Sequence, residues 1–261
     1  MKSTRQGNGR RQFIRQSAAG LGFLSLPSLL HPVGQSSKKK VVVVGGHPDD
    51  PESGAGGTIA RLIRAGHEVT NMYFTNGDAG IAGKTHAEAA AIRRKESVEA
   101  CKVLGAKPLF VNQVDGSSVI TNEELARFEK LLLEEKPDLV FAQWPIDSHK
   151  DHQLSAVLTI QTWMRASEPF TLYFYEVCFG TQSMLFQPTD YVDITETRSI
   201  KMKALACHVS QDVVGADGKY SKGMTDCGHP SMEDFRGRAL GVPAAEGFIR
   251  MTGRGMGELV V

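Results

Sequence analysis

Cysteine is scarce in this sequence, and the spacing that cysteine sites usually require is missing. The 261 residues contain four cysteines, and no two of them form a Cys-x-x-Cys pair. The sequence therefore predicts neither a zinc site built from thiolates nor a thioredoxin-type redox motif. Outside the cytoplasm a disulfide could form, and Cys207 and Cys227 are the pair best placed for it. Buried free thiols are the alternative.

A strong excess of charge and a long apolar run are also missing. The formal net charge is +1, and residues 1–36 contain five basic and no acidic residues. Residues 37–261 therefore carry 25 basic and 29 acidic side chains, and this balance argues against a nucleic-acid partner. Glycine and proline interrupt the apolar stretch at residues 18–30, which is shorter than the ~20 residues of a membrane-spanning helix. We expect no stable membrane span.

The first residues are typical of an export signal. Arg10 and Arg11 precede the weakly apolar stretch, as in a twin-arginine signal. We expect residues 1–36 to form this signal segment and residues 37–261 to form the functional domain of a periplasmic or extracellular protein. No Ala-x-Ala cleavage site is obvious, so an uncleaved tether is the alternative.

Strand patterns alternate with helix patterns along the rest of the chain, which is long and apolar enough for a sizeable core. The predicted strands are 39–44, 68–75, 109–112, 139–142, 172–177 and 191–194. The predicted helices are 55–66, 86–104, 121–136, 151–166 and 196–206. This order predicts a single α/β domain, a Rossmann-like three-layer sandwich with a mostly parallel sheet. Residues 211–230 are predicted to form a long surface loop that could cover a site.

Histidines and carboxylates follow two of the predicted strands. His47-Pro48-Asp49-Asp50 comes after the first strand, and His149-Lys150-Asp151-His152 comes after the strand at 139–142. Open α/β sheets bind their ligands at the carboxyl ends of the strands. We expect these two strands to be neighbours, so that both clusters meet at one site.

The two clusters contain the groups that a catalytic zinc site needs, namely three protein ligands and an open position. We predict His47, Asp50 and His152 as ligands of Zn²⁺, with Fe²⁺ as the alternative in vivo. Asp49 would act as a general base towards water. A protonated His149 would stabilise an oxyanion or protonate a leaving amine.

Each cluster alone also has an ordinary structural interpretation. Aspartate and proline are common in turns, and Asp147 or Ser148 is a suitable cap for the following helix. Two such clusters at neighbouring strand ends favour the metal site. His208 and His229 fall in predicted late loops, and either could line the pocket.

The first motif closely resembles the opening motif of the PIG-L (LmbE-like) zinc deacetylases. It reads Val-Val-Gly-Gly-His-Pro-Asp-Asp-Pro-Glu-Ser-Gly from Val43 onward. The family motif is usually Ala-His-Pro-Asp-Asp-Glu, and the extra Pro51 leaves the role of Glu52 open. The second motif matches the family's His-x-Asp-His. Weaker similarities occur at Asn76-Gly77-Asp78, Arg93-x-x-Glu96, His208-x-Ser210-Gln211 and Ala245-Glu246-Gly247-Phe248.

The resemblance implies removal of the acetyl group from an N-acetylglucosamine-containing substrate. It implies the same three zinc ligands, Asp49 as the base, and His149 as the acid or oxyanion partner, oriented by Asp151. Substrate contacts are implied for Arg93, Asp115 and Asp78. The structural alternatives are a helix-surface ion pair of Arg93 with Glu96 or Glu99, turn roles for Asp115 and Asp78, and either core packing or sugar stacking for Trp144.

Proteins of other functional classes are alternatives to this hydrolase. Gly54-x-Gly56-Gly57 before a helix suggests a nucleotide-binding module, but Ile59 breaks the G-x-G-x-x-G fingerprint and the glycines lie too far after the strand. A sugar-binding protein without turnover and an amidase acting on another N-acylated amino-sugar conjugate are further alternatives. The expected partner is a small amino sugar or an oligosaccharide, and a homo-oligomer is left open.

Overall fold

A computed structural model describes residues 37–177, 182–214, 220–226 and 228–253 of the chain. The predicted signal segment lies outside these ranges, as does Cys227 of the predicted disulfide. Cys101 is a buried free thiol. Within the described ranges, no helix is both long and apolar enough to cross a membrane.

Nine strands form in the described residues, and seven of them share one sheet with the order β3-β2-β1-β4-β5-β9-β6. In chain order the nine are β1 (Lys40–Gly45), β2 (Glu68–Thr75), β3 (Lys107–Gln113), β4 (Leu139–Gln143), β5 (Thr171–Tyr175), β6 (Asp190–Asp193), β7 (Val213–Val214), β8 (Tyr220–Lys222) and β9 (Ala245–Arg250). The five strands from β3 to β5 pair in parallel, and β9 runs antiparallel between β5 and β6. This sheet confirms the predicted α/β fold.

Six α-helices cover the sheet in the described part of the chain. They are α1 (Asp50–Arg64), α2 (His86–Leu104), α3 (Asn122–Glu134), α4 (Lys150–Arg165), α5 (Arg198–Leu205) and α6 (His229–Leu240). Local signals explain several of their ends. Thr85 and Glu88 form a reciprocal capping box at the start of α2, and Gly105 ends that helix in the left-handed conformation. The Thr121 side chain accepts the Glu124 N–H at the start of α3.

The valines of β1 divide the core between the two faces of the sheet. Val42 and Val44 pack with side chains of α3 and α4, whereas Val41 and Val43 pack with side chains of α1, α2 and α5. A strand buried on both faces has a continuous apolar sequence rather than an alternating one, and this explains the valine run. As a result, α1 and α4 lie on opposite faces of the sheet.

The structure differs from the sequence prediction at the start of α1 and after residue 211, where β7, β8, β9 and α6 form without having been predicted. Helix α1 begins at Asp50, five residues before the predicted start, so Asp50 lies in its first turn. The C-terminal part of the predicted loop 211–230 instead leads into α6, which was not predicted. The buried face of this helix is mostly polar and charged, so it lacks the apolar stripe from which a helix is predicted. Arg236 donates two hydrogen bonds to Glu176, and Glu233 lies 2.9 Å from Lys201 Nζ.

Candidate functional site

The two predicted clusters meet because β1 and β4 are neighbours in the sheet. Val44 is paired with Ala142, so the turn after β1 faces the start of α4. Gly46 permits this close approach, since a Cβ atom there would lie 2.7 Å from Cδ2 of His152. The Gly46 N–H also donates to Oε1 of Gln143 at 2.6 Å. The expectation that both strand ends form one site is confirmed.

Three donor atoms from these clusters lie close to one another. His47 Nδ1 is 3.0 Å from His152 Nε2, and Asp50 Oδ2 lies 3.3 Å from the former and 3.2 Å from the latter. Tetrahedral zinc, with bonds of about 2.0–2.1 Å, places its ligand atoms roughly 3.4 Å apart. The triangle of donor atoms therefore has the dimensions that a divalent cation requires.

The outer nitrogen of each of these histidines faces a carboxylate. His47 Nε2 lies 3.1 Å from Asp115 Oδ1 and 3.3 Å from Asp151 Oδ2. His152 Nδ1 lies 3.1 Å from Asp147 Oδ1, and Asp147 is fully buried. Metal-binding histidines usually donate their second N–H to such an acceptor, which fixes the tautomer and raises the basicity of the metal-binding nitrogen. The sequence pattern indicates only a helix-cap role for Asp147, so this contact with His152 was not predicted.

Other combinations of donors in the same place could also hold a metal ion. One is His47, His149 and His152, and another is His47, Asp115, His149 and Asp151. In each set the donor atoms lie within 4.8 Å of one another. The described residues therefore bring metal-binding groups together around His47.

The carboxylates around the cluster strongly favour positive charge on the groups between them. Burial lowers the pKa of His47, but hydrogen bonds to Asp115, Asp151 and Asp50 outweigh it and raise this pKa well above the ordinary value. For His152, burial is likewise overcome by Asp50 and Asp147, and the pKa rises to about 9. Burial raises the pKa of Asp50, yet the two histidines hold it well below the usual range. A bound cation would be stabilised by the same carboxylates that stabilise the protonated histidines here.

Asp49 lies beside this triangle and is held by Arg93. The Arg93 side chain is buried, and its Nη2 donates to Asp49 Oδ2 at 2.8 Å and to the Pro48 carbonyl. Burial raises the pKa of Asp49, and the charge of Arg93 opposes that rise. The alternative ion pairs of Arg93 do not form, since Glu96 accepts from Ser210 and Glu99 pairs with Lys102.

His149 caps α4 and faces the cavity as a neutral ring. Its Nδ1 accepts the Asp151 backbone N–H at 3.2 Å, so the neutral imidazole carries its proton on Nε2. Burial lowers the pKa of His149, and the neighbouring His47 and His152 lower it further. This favours a neutral donor over the protonated ring that the sequence predicts. The Asp151 carboxylate forms no hydrogen bond with the His149 ring in the described residues and instead accepts from Gly116 N–H, Ser118 Oγ and His47.

A cavity of about 270 Å³ opens over the cluster. Pockets for drug-sized ligands are usually about 300–1,000 Å³, so this one suits a monosaccharide-sized group. Arg93 and Asp115 line it, as predicted for substrate-contacting residues, and Asp78 does not. The Asp78 carboxylate instead accepts the Asp115 N–H at 2.8 Å and lies 3.0 Å from His86 Nδ1. Further lining residues that sequence reasoning missed or left open are Ser53, Val177, Gln182, Gln211, Met224 and His229.

Trp144 and Glu52 belong to the packing around the site. The Trp144 indole donates to the Met184 carbonyl and packs edge-on against Phe174, outside the cavity. Glu52 is fully buried, accepts hydrogen bonds from Asn71 and Tyr73, and has its pKa raised by burial to about 7.

The glycines of α1 are packing positions and not a phosphate loop. A Cβ atom at Gly54 would lie 1.9 Å from the Tyr175 ring, and one at Gly57 would lie 2.6 Å from Ile194. These residues lie inside a helix that begins earlier in the chain. The geometry does not favour the nucleotide-binding alternative.

Known proteins resemble this chain in sequence and in fold. Residues 42–163 match the PIG-L family, described as GlcNAc-PI de-N-acetylase. Diacetylchitobiose deacetylase of Thermococcus kodakarensis is 27% identical over 188 residues, which are 66% of this chain and 70% of that protein. A Bacillus cereus protein named a probable N-acetyl-alpha-D-glucosaminyl L-malate deacetylase 2 is 27% identical over 196 residues, which are 71% of this chain and 89% of that protein.

A solved structure extends this similarity to the fold. N,N'-diacetylchitobiose deacetylase from Pyrococcus horikoshii, complexed with its inhibitor MPG, superposes with a TM-score of 0.70 at 29% sequence identity. The match covers 82% of this chain and 84% of that one. The seven-stranded sheet and its flanking helices are therefore those of a known deacetylase structure.

The backbone of Asp49 is strained, and a comparison of two variants measures the free energy of that strain. Its φ of 141° and ψ of −25° lie in a region that only glycine adopts readily. Asp49→Gly and Asp49→Ala both remove the carboxylate and its bond to Arg93, so the pair isolates the backbone. We expect the glycine variant to be more stable by about 1–3 kcal/mol, measured by urea unfolding. Equal stabilities would contradict the assigned strain.

Proposed function

The chain belongs to the PIG-L (LmbE-like) family, and we propose that it is a metal-dependent hydrolase that removes the acetyl group from an N-acetylglucosamine-containing substrate. The observation that carries the proposal is the triangle of His47 Nδ1, Asp50 Oδ2 and His152 Nε2, with Asp49 in the wall of the same cavity. The names of the relatives support deacetylation as the reaction. The cavity is of a size that suits a sugar.

We assign the metal to His47, Asp50 and His152 rather than to the overlapping donor sets. Their donor atoms are 3.0–3.3 Å apart, and the set includes the Asp50 carboxylate, which the overlapping sets lack. The choice also leaves Asp115, Asp151 and Asp147 free to accept from the outer nitrogens of the two histidines. Zinc fits this nitrogen and oxygen donor set, and ferrous iron is the alternative.

The remaining residues would then divide the work of amide hydrolysis. When bound, the ion would supply Lewis-acid polarisation of the acetyl oxygen and a lowered pKa for a water molecule. Asp49 would accept the proton that the attacking water loses. The Nε2–H of His149 would donate a hydrogen bond to the oxygen on which negative charge develops. Either Asp49 or His149 would return a proton to the departing amine.

Arg93 and Asp115 would act on these groups as well as on the substrate. Arg93 holds the Asp49 carboxylate in place, and Asp115 holds His47. Both line the cavity, so a sugar hydroxyl could reach them. Asp151 would likewise act mainly on a metal-binding residue rather than on His149. Its carboxylate orients His47, and only its backbone N–H orients His149.

Export is a separate proposal that depends on the twin-arginine motif at Arg10 and Arg11. We propose that the protein acts in the periplasm or outside the cell, where its substrate would be a glycan-derived amino sugar.

The proposed reaction is tested by acetate release. Zinc-loaded protein should release acetate from N-acetylglucosamine or N,N'-diacetylchitobiose. Asp49→Asn should lower kcat by about 10²–10⁴-fold because the general base is lost, while it keeps one metal ion per chain. The matched control is Asp234→Asn on α6, which should leave both activity and metal content unchanged. Full activity in Asp49→Asn, or loss of its metal, would remove the assigned role.

The acid limb of the pH–rate profile tests the pairing of Asp49 with Arg93. Catalysis needs deprotonated Asp49, so the rate should fall as the pH drops through the pKa of this carboxyl. Arg93 lowers that pKa, and Arg93→Met should therefore move the acid limb to higher pH. The exposed neighbour Arg94, changed to Met, is the control and should leave the limb in place. An unmoved limb in Arg93→Met would show that Asp49 is not the group that titrates.

A further inference from the structure

His229 is a buried histidine in the cavity wall that the hydrolysis scheme does not use. It begins α6, its side chain is only 1% exposed, and it lines the cavity over the metal-binding cluster. Its Nε2 lies 3.3 Å from the Ser53 hydroxyl oxygen. Its Nδ1 has no hydrogen-bond partner among the described residues. Buried polar atoms are rarely left without a partner, so this nitrogen calls for water or a ligand group.

The position of His229 complements that of His149. Ser53 lies on α1 and His149 caps α4, and these helices cover opposite faces of the sheet. His229 therefore borders the cavity next to α1, and His149 borders it at the start of α4. Val177 and Met224, which also line the cavity, add apolar surface. A ligand in the cavity would have a polar contact available at each of these positions.

The chemistry of the ring indicates which ligand group it would meet. The hydroxyl of Ser53 can donate to Nε2 or accept from it, so Nδ1 is free to be either donor or acceptor. A sugar hydroxyl is suited to both cases because it can donate and accept.

We propose that His229 is a further substrate-binding residue, whose Nδ1 forms a hydrogen bond with a hydroxyl group of the N-acetylated amino sugar. This inference rests on the proposed function. It assigns to α6 a part in substrate selection, in addition to its packing through Arg236 and Glu233.

Two substitutions separate this role from a structural one. In Asn the side-chain amide lies near the position of Nδ1, whereas in Gln it reaches the position of Nε2 and can still contact Ser53. We expect His229→Gln to raise KM about tenfold with little change in kcat, which corresponds to the loss of one hydrogen bond in binding. His229→Asn should stay within about threefold of the wild type. The exposed Arg238 on the same helix, changed to Ala, is the control and should behave as the wild type.

The opposite ranking would overturn the inference. If the contact with Ser53 were the only role of His229, Gln would retain wild-type kinetics and Asn would not. Metal content is measured for every variant, and it should be unchanged.

A binding measurement on the wild type decides the matter if the variants do not fold. Adding N-acetylglucosamine to zinc-loaded protein should shift the His229 Nδ1 resonance in long-range ¹H–¹⁵N spectra. An unmoved resonance at saturating sugar would contradict the inference. If the wild type releases no acetate from any N-acetylated sugar, the proposed function fails, whereas active wild type with an unchanged KM in His229→Gln rejects only the role of His229.

Discussion

The site depends on one electrostatic arrangement, in which two imidazoles and a carboxylate converge while further carboxylates surround them. His47 and His152 each direct one nitrogen at the shared space and the other at an aspartate. Both histidines are largely buried, and their pKa values are raised in spite of that burial. The arrangement therefore requires a positive charge at its centre. A divalent cation would supply that charge and would leave the outer nitrogens free to donate to their aspartates.

The fold meets this requirement through a few exact steric conditions at the edge of the sheet. The pairing of β1 with β4 brings the two strand ends together, and Gly46 lets the backbone pass close to His152. The early start of α1 places Asp50 in its first turn. This start is accompanied by an unfavourable backbone conformation at Asp49. Strain of this kind is often stored where a reactive group must be held in one position, and Arg93 holds the carboxylate of the same residue.

Much of this fold follows from local sequence patterns. The valine run, the capping box at Thr85 and the glycine at position 105 define elements whose signals are contained in the elements themselves. The start of α1 was misplaced because Pro51 and the glycines after it indicate a turn, whereas tertiary packing against Tyr175 and Ile194 makes them helical. Helix α6 was missed because its buried face includes charged residues that pair with distant parts of the chain, and no local pattern indicates these contacts.

The candidate site likewise contains features that the local sequence predicts and features that depend on tertiary contacts. Motif and spacing predicted that His47, Asp50 and His152 would meet, because parallel strand ends must share one edge of the sheet. They did not predict that Asp151 would contact the His47 ring, that Asp147 would contact the His152 ring, or that His229 would line the cavity. The contacts of Asp151 and His229 join residues that are distant in the sequence, and Asp147 reaches His152 across the turn that begins α4. Nothing in the local sequence around a histidine or aspartate identifies its partner.

The most direct test of the account is the position of the metal ion. Zinc-loaded crystals measured on either side of the zinc absorption edge should show one strong anomalous peak per chain. The account predicts that this peak lies about 2.0–2.2 Å from His47 Nδ1, Asp50 Oδ2 and His152 Nε2. A peak bound instead by Asp115, His149 and Asp151, or no stoichiometric peak at all, would contradict it.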